Sequence, residues 1–265
     1  LAELIFPSAT RISQLKNAKV TTVNGFKRVS SGSGEVFSFK ADGANVLVLP
    51  QHMALNAAKI GDQLFITDAV LLGKPGRLQL ISRETDNRVH VVPAGGSKLV
   101  VADGAGKPDS DAKVVKSGST ITKLQGLSTT LPGFSSYRIQ FPELKPQLAI
   151  KKISDQKYTV QLLSGFGGLH DIFLETDYVG DRAMAFVDGK MITDHFFHDR
   201  QWEIGLRNIA GELKSKELLL FFHPIHSSYG YLRDLKRKPE FKDNLYLKVN
   251  EIKAVPEYSV EMRME

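Results

Sequence analysis

The stretch Asp171–Phe197, DIFLETDYVGDRAMAFVDGKMITDHFF, decides how the chain reads. It opens on Ile172-Phe173-Leu174-Glu175-Thr176, a largely apolar, β-prone run of strand length. Tyr178-Val179-Gly180-Asp181 is a turn-forming break, and Arg182–Val187 is a second apolar run. Asp188-Gly189 closes that run and Lys190-Met191-Ile192-Thr193 begins a third. Asp-Gly between two apolar runs predicts a two-residue hairpin, because both residues tolerate positive φ. The stretch reads as the centre of an antiparallel sheet, and nothing in it is marked as catalytic.

The same rhythm extends outward. Asn24-Gly25 and Asp42-Gly43 predict two more tight turns, each between short β-prone runs. Gln51–Ala58 is a helix candidate of one or two turns, and Leu64–Leu72 is an almost wholly apolar strand candidate. Pro93–Ser97 and Ala102–Asp111 read as loops, and Ser117-Gly118 as the tip of a hairpin within Lys113–Leu124. Leu131–Pro146, with three prolines and Gly133, reads as the connection to a second unit. The strands predicted there are Leu148–Ile153, Lys157–Leu163, Asp171–Asp177, Arg182–Val187, Lys190–Phe196, Glu217–His223, Leu245–Val255 and Tyr258–Met262.

Many short strands with turns every eight to twelve residues argue for an all-β protein. An α/β sheet would need long crossover helices. The expected organisation is a first β-sandwich over 1–125, a linker or connecting strand over 126–147, and a C-terminal unit over 148–265. Each unit is expected to be an antiparallel sandwich or jelly roll.

Composition narrows the function. The chain has 265 residues, 42% of them hydrophobic, and no cysteine. Disulfides, thiol chemistry and cysteine-ligated metals are therefore excluded. The net charge of +6 comes from lysines and arginines scattered along the chain, except at Arg233–Lys238. A nucleic-acid binder concentrates its charge, so no nucleic-acid partner is expected. No apolar run reaches the length of a membrane span. The chain begins Leu1-Ala2-Glu3, a start that a processed export signal, a removed tag or a cut from a longer protein would each give.

Several segments carry chemistry. His195 with His198, and His223 with His226, have a spacing that zinc sites use. Without cysteine, and with His195 in a strand-and-loop context, surface or structural roles are expected and no metal or other cofactor is assigned. His198-Asp199-Arg200-Gln201-Trp202 is denser. An exposed indole stacks on the apolar face of a sugar while Asp, Arg and His bond its hydroxyls. His198, Asp199, Arg200, Trp202 and the nearby Tyr178 are therefore the candidate carbohydrate-binding residues. Against this, Ile204 and Leu206 would share a strand face with Trp202, which points to a buried indole. Tyr229-Gly230-Tyr231-Leu232-Arg233 is aromatic and basic together and could face a ligand or a partner. Gly165-Phe166-Gly167-Gly168 lacks the spacing and the lysine of a phosphate loop.

DYVGDRAMAFVDGK and DHFFHDRQWEIGL, within Tyr178–Leu206 and its flanks, resemble the C-terminal β-sandwich of bacterial β-galactosidase-like proteins of glycoside hydrolase family 35. The strand rhythm resembles that region more loosely over Leu148–Glu265. The resemblance implies a galactose-binding-domain-like jelly roll. It also implies a parent enzyme whose catalytic (β/α)8 barrel carries the two working glutamates. Such a barrel takes about 250 residues of alternating strands and helices, and this chain has no such alternation. The resemblance therefore implies a non-catalytic accessory region whose partner is the barrel of its own parent protein, in a periplasmic or extracellular setting. A stand-alone carbohydrate-binding module is the alternative, with glycan as partner.

Overall fold

The computed structural model describes residues 3–31, 36–74, 76–92, 99–101, 112–114, 119–124 and 134–264. The loops expected at Pro93–Ser97 and Ala102–Asp111, the Ser117-Gly118 tip and residues 126–133 of the expected linker lie outside these. The fold is all-β, built of several small antiparallel sheets. The chain divides into two compact units, Leu1–Pro142 with Val260–Glu265, and Glu143–Ser259.

In the first unit, Glu3–Pro7, Phe26–Ser31 and Ala18–Val23 form one three-stranded sheet, and Ile12–Lys16, Phe37–Ala41 and Ala44–Val48 form another. Val29, Phe37 and Phe39 are buried together, with Leu4, Phe6 and Val46 packed around them. Burial alternates along Glu3–Pro7 and from Phe37 to Phe39, so one face of each of these strands enters the core. A six-stranded sheet follows in the order Ala112–Val114, Thr120–Leu124, Ser135–Gln140, Asp86–Val92, Gln63–Ile66, Ala57–Ile60. Ser135–Gln140 lies in the segment read as a connection, yet it is a strand hydrogen-bonded on both sides. The helix candidate is one turn, Gln51–Leu55, and Ala57–Ile60 is already a strand. The apolar run expected as one strand over Leu64–Leu72 is broken into Gln63–Ile66 and Val70–Lys74, which belong to different sheets.

The second unit holds the site. A five-stranded sheet runs in the order Leu148–Ser154, Lys157–Leu162, Leu218–Phe222, Arg182–Val187, Lys190–Phe196. A second ladder pairs Trp202–Gly205 with Asp171–Val179, and Asp171–Val179 with the long last strand, Lys248–Met264. The last strand had been expected as two pieces. It is continuous because Pro256, opposite Ile172, keeps an extended backbone and forgoes only its own N–H.

The three Xaa-Gly pairs at 24–25, 42–43 and 188–189 all have both φ values positive and join strands directly, as two-residue loops do. Tyr178–Asp181, by contrast, makes no hairpin. Asp171–Val179 and Arg182–Val187 belong to different sheets, so the chain crosses from one to the other at Gly180-Asp181. The stretch Asp171–Phe197 is thus a corner joining two sheets rather than the middle of one. Between them, Tyr178 packs its ring 5.2 Å from that of Phe222, and Trp202 meets Phe222 edge-on at 6.4 Å.

Candidate functional site

The corner and the loop after it shape a cleft of about 280 Å³ in the second unit. Asp181 contributes from the crossing, and Phe196, Phe197, His198 and Asp199 from the end of the Lys190–Phe196 strand. Tyr231, Asp234 and Leu235 close it from a later loop that includes the 3-10 turn Gly230–Arg233.

Asp199 holds that later loop in place. It sits at φ 63, which turns the chain out of the strand. Its carboxylate accepts the backbone N–H groups of Lys236 at 2.6 Å and Arg237 at 3.0 Å. Burial favours the neutral acid, but these two bonds and the Arg237 charge outweigh it and hold the carboxyl below its usual range. The Arg237 guanidinium lies 5.0 Å over the Phe197 ring and donates to Asp177 Oδ1 at 2.5 Å. Asp177 Oδ2 accepts from Asn250 at 3.0 Å.

Asp181 fixes the other side. The Tyr231 hydroxyl donates to Asp181 Oδ1 at 2.5 Å. Burial, followed by this bond to a carboxylate, pushes the Tyr231 phenol well above its ordinary range. His198 donates Nδ1–H to the Phe196 carbonyl at 2.7 Å, so in the neutral ring Nε2 carries the free lone pair.

The five sequence candidates separate. His198 and Asp199 line the cleft. Arg200 is exposed and does not line it. Trp202 is 3% exposed, stacked at 6.2 Å on His195 and covered by Phe222, so a sugar ring has no indole face to lie on. Tyr178 is fully buried, with its hydroxyl bonded to His195 Nδ1 at 2.9 Å and to the His195 carbonyl at 3.1 Å. Asp181, Phe196, Asp234 and Leu235 were not singled out. Tyr231 belongs to the aromatic and basic run at 229–233, whose composition was the available signal.

Among the described residues, no group of three or more His, Asp or Glu could hold a metal ion. The His195 and His198 rings lie 5.2 Å apart, but both Nδ1 atoms are engaged. His226 Nδ1 bonds Ser228 Oγ at 2.8 Å, while His223 Nε2 is buried without a partner.

No family model matches the chain, and no curated protein or solved structure matches it. The functional reading therefore rests on the residues themselves. What the cleft offers is acceptors and an aromatic wall. It contains no Ser or Lys to act as a nucleophile, and Asp199 is committed to two backbone N–H groups.

Proposed function

We propose that the chain is a non-catalytic accessory region of a β-galactosidase-like glycoside hydrolase, supporting a catalytic barrel carried by its parent protein. In this reading the second unit is a galactose-binding-like jelly roll, and the parent enzyme works in the periplasm or outside the cell.

One observation carries the proposal: the segment that bears the resemblance spends its polar and special residues on its own fold. Tyr178 is tied to His195, and Asp177 to Arg237 and Asn250. Gly180 lets the His223 carbonyl approach, where an added Cβ would lie 2.8 Å from the oxygen. Gly205 makes room in the same way for Asp171, whose Oδ1 accepts the N–H groups of Ile172 and Arg207. Catalytic residues aim their working atoms at a substrate. These aim theirs inward, as a scaffold motif does.

Two measurements test the proposal together. The purified chain is expected to give no turnover of aryl β-galactosides, and the coding sequence around it is expected to encode a (β/α)8 barrel. Turnover that vanishes on changing one carboxylate within this chain would overturn the reading, as would flanking sequence that encodes no barrel.

A further inference from the structure

The residues that close the cleft present acceptors with nothing to accept. Among the described residues, no hydrogen bond or ion pair engages the Asp234 carboxylate, which is exposed at the cleft. Asp181 uses Oδ1 for Tyr231 and leaves Oδ2 free. His198 commits Nδ1 to a carbonyl and leaves Nε2. A ligand for this cleft must therefore bring donors.

The wall is aromatic. Phe196 is 63% exposed and Tyr231 38%, high values for rings at a concave surface. Tyr231 continues into a row of rings, with Tyr229 at 5.7 Å and His226 a further 6.0 Å away. Leu235 is buried beneath the cleft. A ligand that fits must offer an apolar face as well as its donors.

We infer that this cleft binds one neutral pyranose ring, its C–H face against Phe196 and Tyr231 and its hydroxyls donated to Asp181, Asp234 and His198. A pyranose combines an apolar C–H face with several hydroxyl donors on one rigid ring, which matches an aromatic wall beside a few polar groups. The cleft is at the small end of ligand sites, which are about 300–1,000 Å³, and so holds one ring rather than a chain. An organic cation would also satisfy the carboxylates. The charged glucosamine arm of the titration below decides for or against that reading, because Arg237 is already paired with Asp177 and Asp199 and sets no bar to a cation. The site differs from the Trp202 grouping that composition suggests: the exposed ring is Phe196, while the indole is buried against His195 and Phe222. The cleft would bind a ring whether or not the chain supports a catalytic barrel.

Calorimetric titration of the full chain with galactose, glucose, mannose and glucosamine tests this. Saturable binding of at least one neutral hexose is expected, with Kd of roughly millimolar order, as few-bond sites give. Phe196→Ala and Asp234→Asn should each weaken it about tenfold or more, the loss of a stacking face or of one charge-assisted bond. Both residues are exposed, so the melting temperature of each variant should stay that of the parent chain, which separates lost binding from lost folding. No saturation by any neutral hexose up to about 50 mM, far above that Kd, would overturn the inference. So would binding untouched by both substitutions, or charged glucosamine binding more tightly than every neutral sugar. Aryl-galactoside turnover is read separately and bears only on the accessory proposal.

Discussion

Asp199 grips Arg237 twice through one oxygen. Its Oδ1 accepts the Arg237 backbone N–H at 3.0 Å and stands 3.6 Å from the guanidinium Nε. A residue in the loop after the Lys190–Phe196 strand thereby fixes the loop that carries Tyr231 and Asp234. Replacing Asp199 with Ala should leave the Lys236 and Arg237 amides unpaired and cost about 1–3 kcal/mol. Amide exchange at these two positions should accelerate before the rest of the unit opens. Unchanged protection there would show that the carboxylate does not anchor the loop.

The same carboxylate gives an acid limb. Its folded pKa lies below the unfolded value of about 3.9, so the unfolded chain binds the proton more readily. Its stabilisation is complete above that pH and is lost as pH falls through the lower folded pKa. Asp199→Asn should therefore flatten the stability profile below about pH 4 relative to the parent chain. The profile is measured by urea unfolding at stepped pH.

Trp202→Ala should act on the fold. The indole is buried between His195 and Phe222, and its removal should cost about 3–5 kcal/mol, the usual range for a large aromatic in a core. Chemical denaturation measures the loss. A midpoint equal to that of the parent chain would mean that the surroundings collapse into the gap.

Much of this was legible because it is local. Asn24-Gly25, Asp42-Gly43 and Asp188-Gly189 need only positive φ at adjacent residues, a property of those two side chains alone. Gly180-Asp181 does break the chain as its residues suggest, but the stretch is not the centre of one sheet, because whether a chain folds back or crosses to another sheet depends on distant partners. Here they are Leu218–Phe222 for one strand and Lys248–Met264 for the other. The alternation of Trp202 with Ile204 pointed to burial, while the chemistry of the indole pointed to a sugar; packing prevailed. Five of the eight residues lining the cleft lie within 181–199, and that part was partly legible. Tyr231 and Asp234 join it through long-range bonds, from Tyr231 to Asp181 and from the Lys236 and Arg237 amides to Asp199, and no spacing in the sequence records those.

Two histidines should make stability rise with pH near neutrality. Burial is the main cause that lowers the pKa of both His195 and His223, with His198 adding to the first and Arg182 to the second. Each is neutral in the fold and more readily protonated when unfolded. Their contribution is full above the unfolded value of about 6.5 and falls away as pH drops through the lower folded values. The melting temperature should decline between neutral and mildly acidic pH, and His223→Phe should lessen that decline. His223 is the better residue to change, because its Nε2 is buried without a partner and its ring already packs 4.5 Å from Phe221. An equally steep decline in the variant would clear His223 of the effect.

Gly180 offers the sharpest test of the corner. It lies between Tyr178, whose ring fills the space between two sheets, and Asp181, whose N–H donates to the His223 carbonyl at 2.8 Å. A Cβ at position 180 would meet that carbonyl oxygen at 2.8 Å, Leu247 Cδ1 at 3.0 Å and Tyr178 Cδ2 at 3.1 Å. Leu247 can rotate, but the His223 oxygen is backbone, held by the Asp181 bond and by the His223 N–H bond to the Arg182 carbonyl. The strand must therefore shift. Gly180→Ala should destabilise the chain by about 1–3 kcal/mol, the cost of overpacking a closed site. Because Asp181 moves with residue 180, its bond to Tyr231 should loosen too, and hexose binding should weaken together with stability. Gly189→Ala is the control: at that turn a Cβ meets nothing within 4 Å, so its cost comes from the positive φ of 76° alone. It should destabilise the chain and leave the cleft untouched. A Gly180→Ala variant as stable as the parent chain would refute the crowded corner described here.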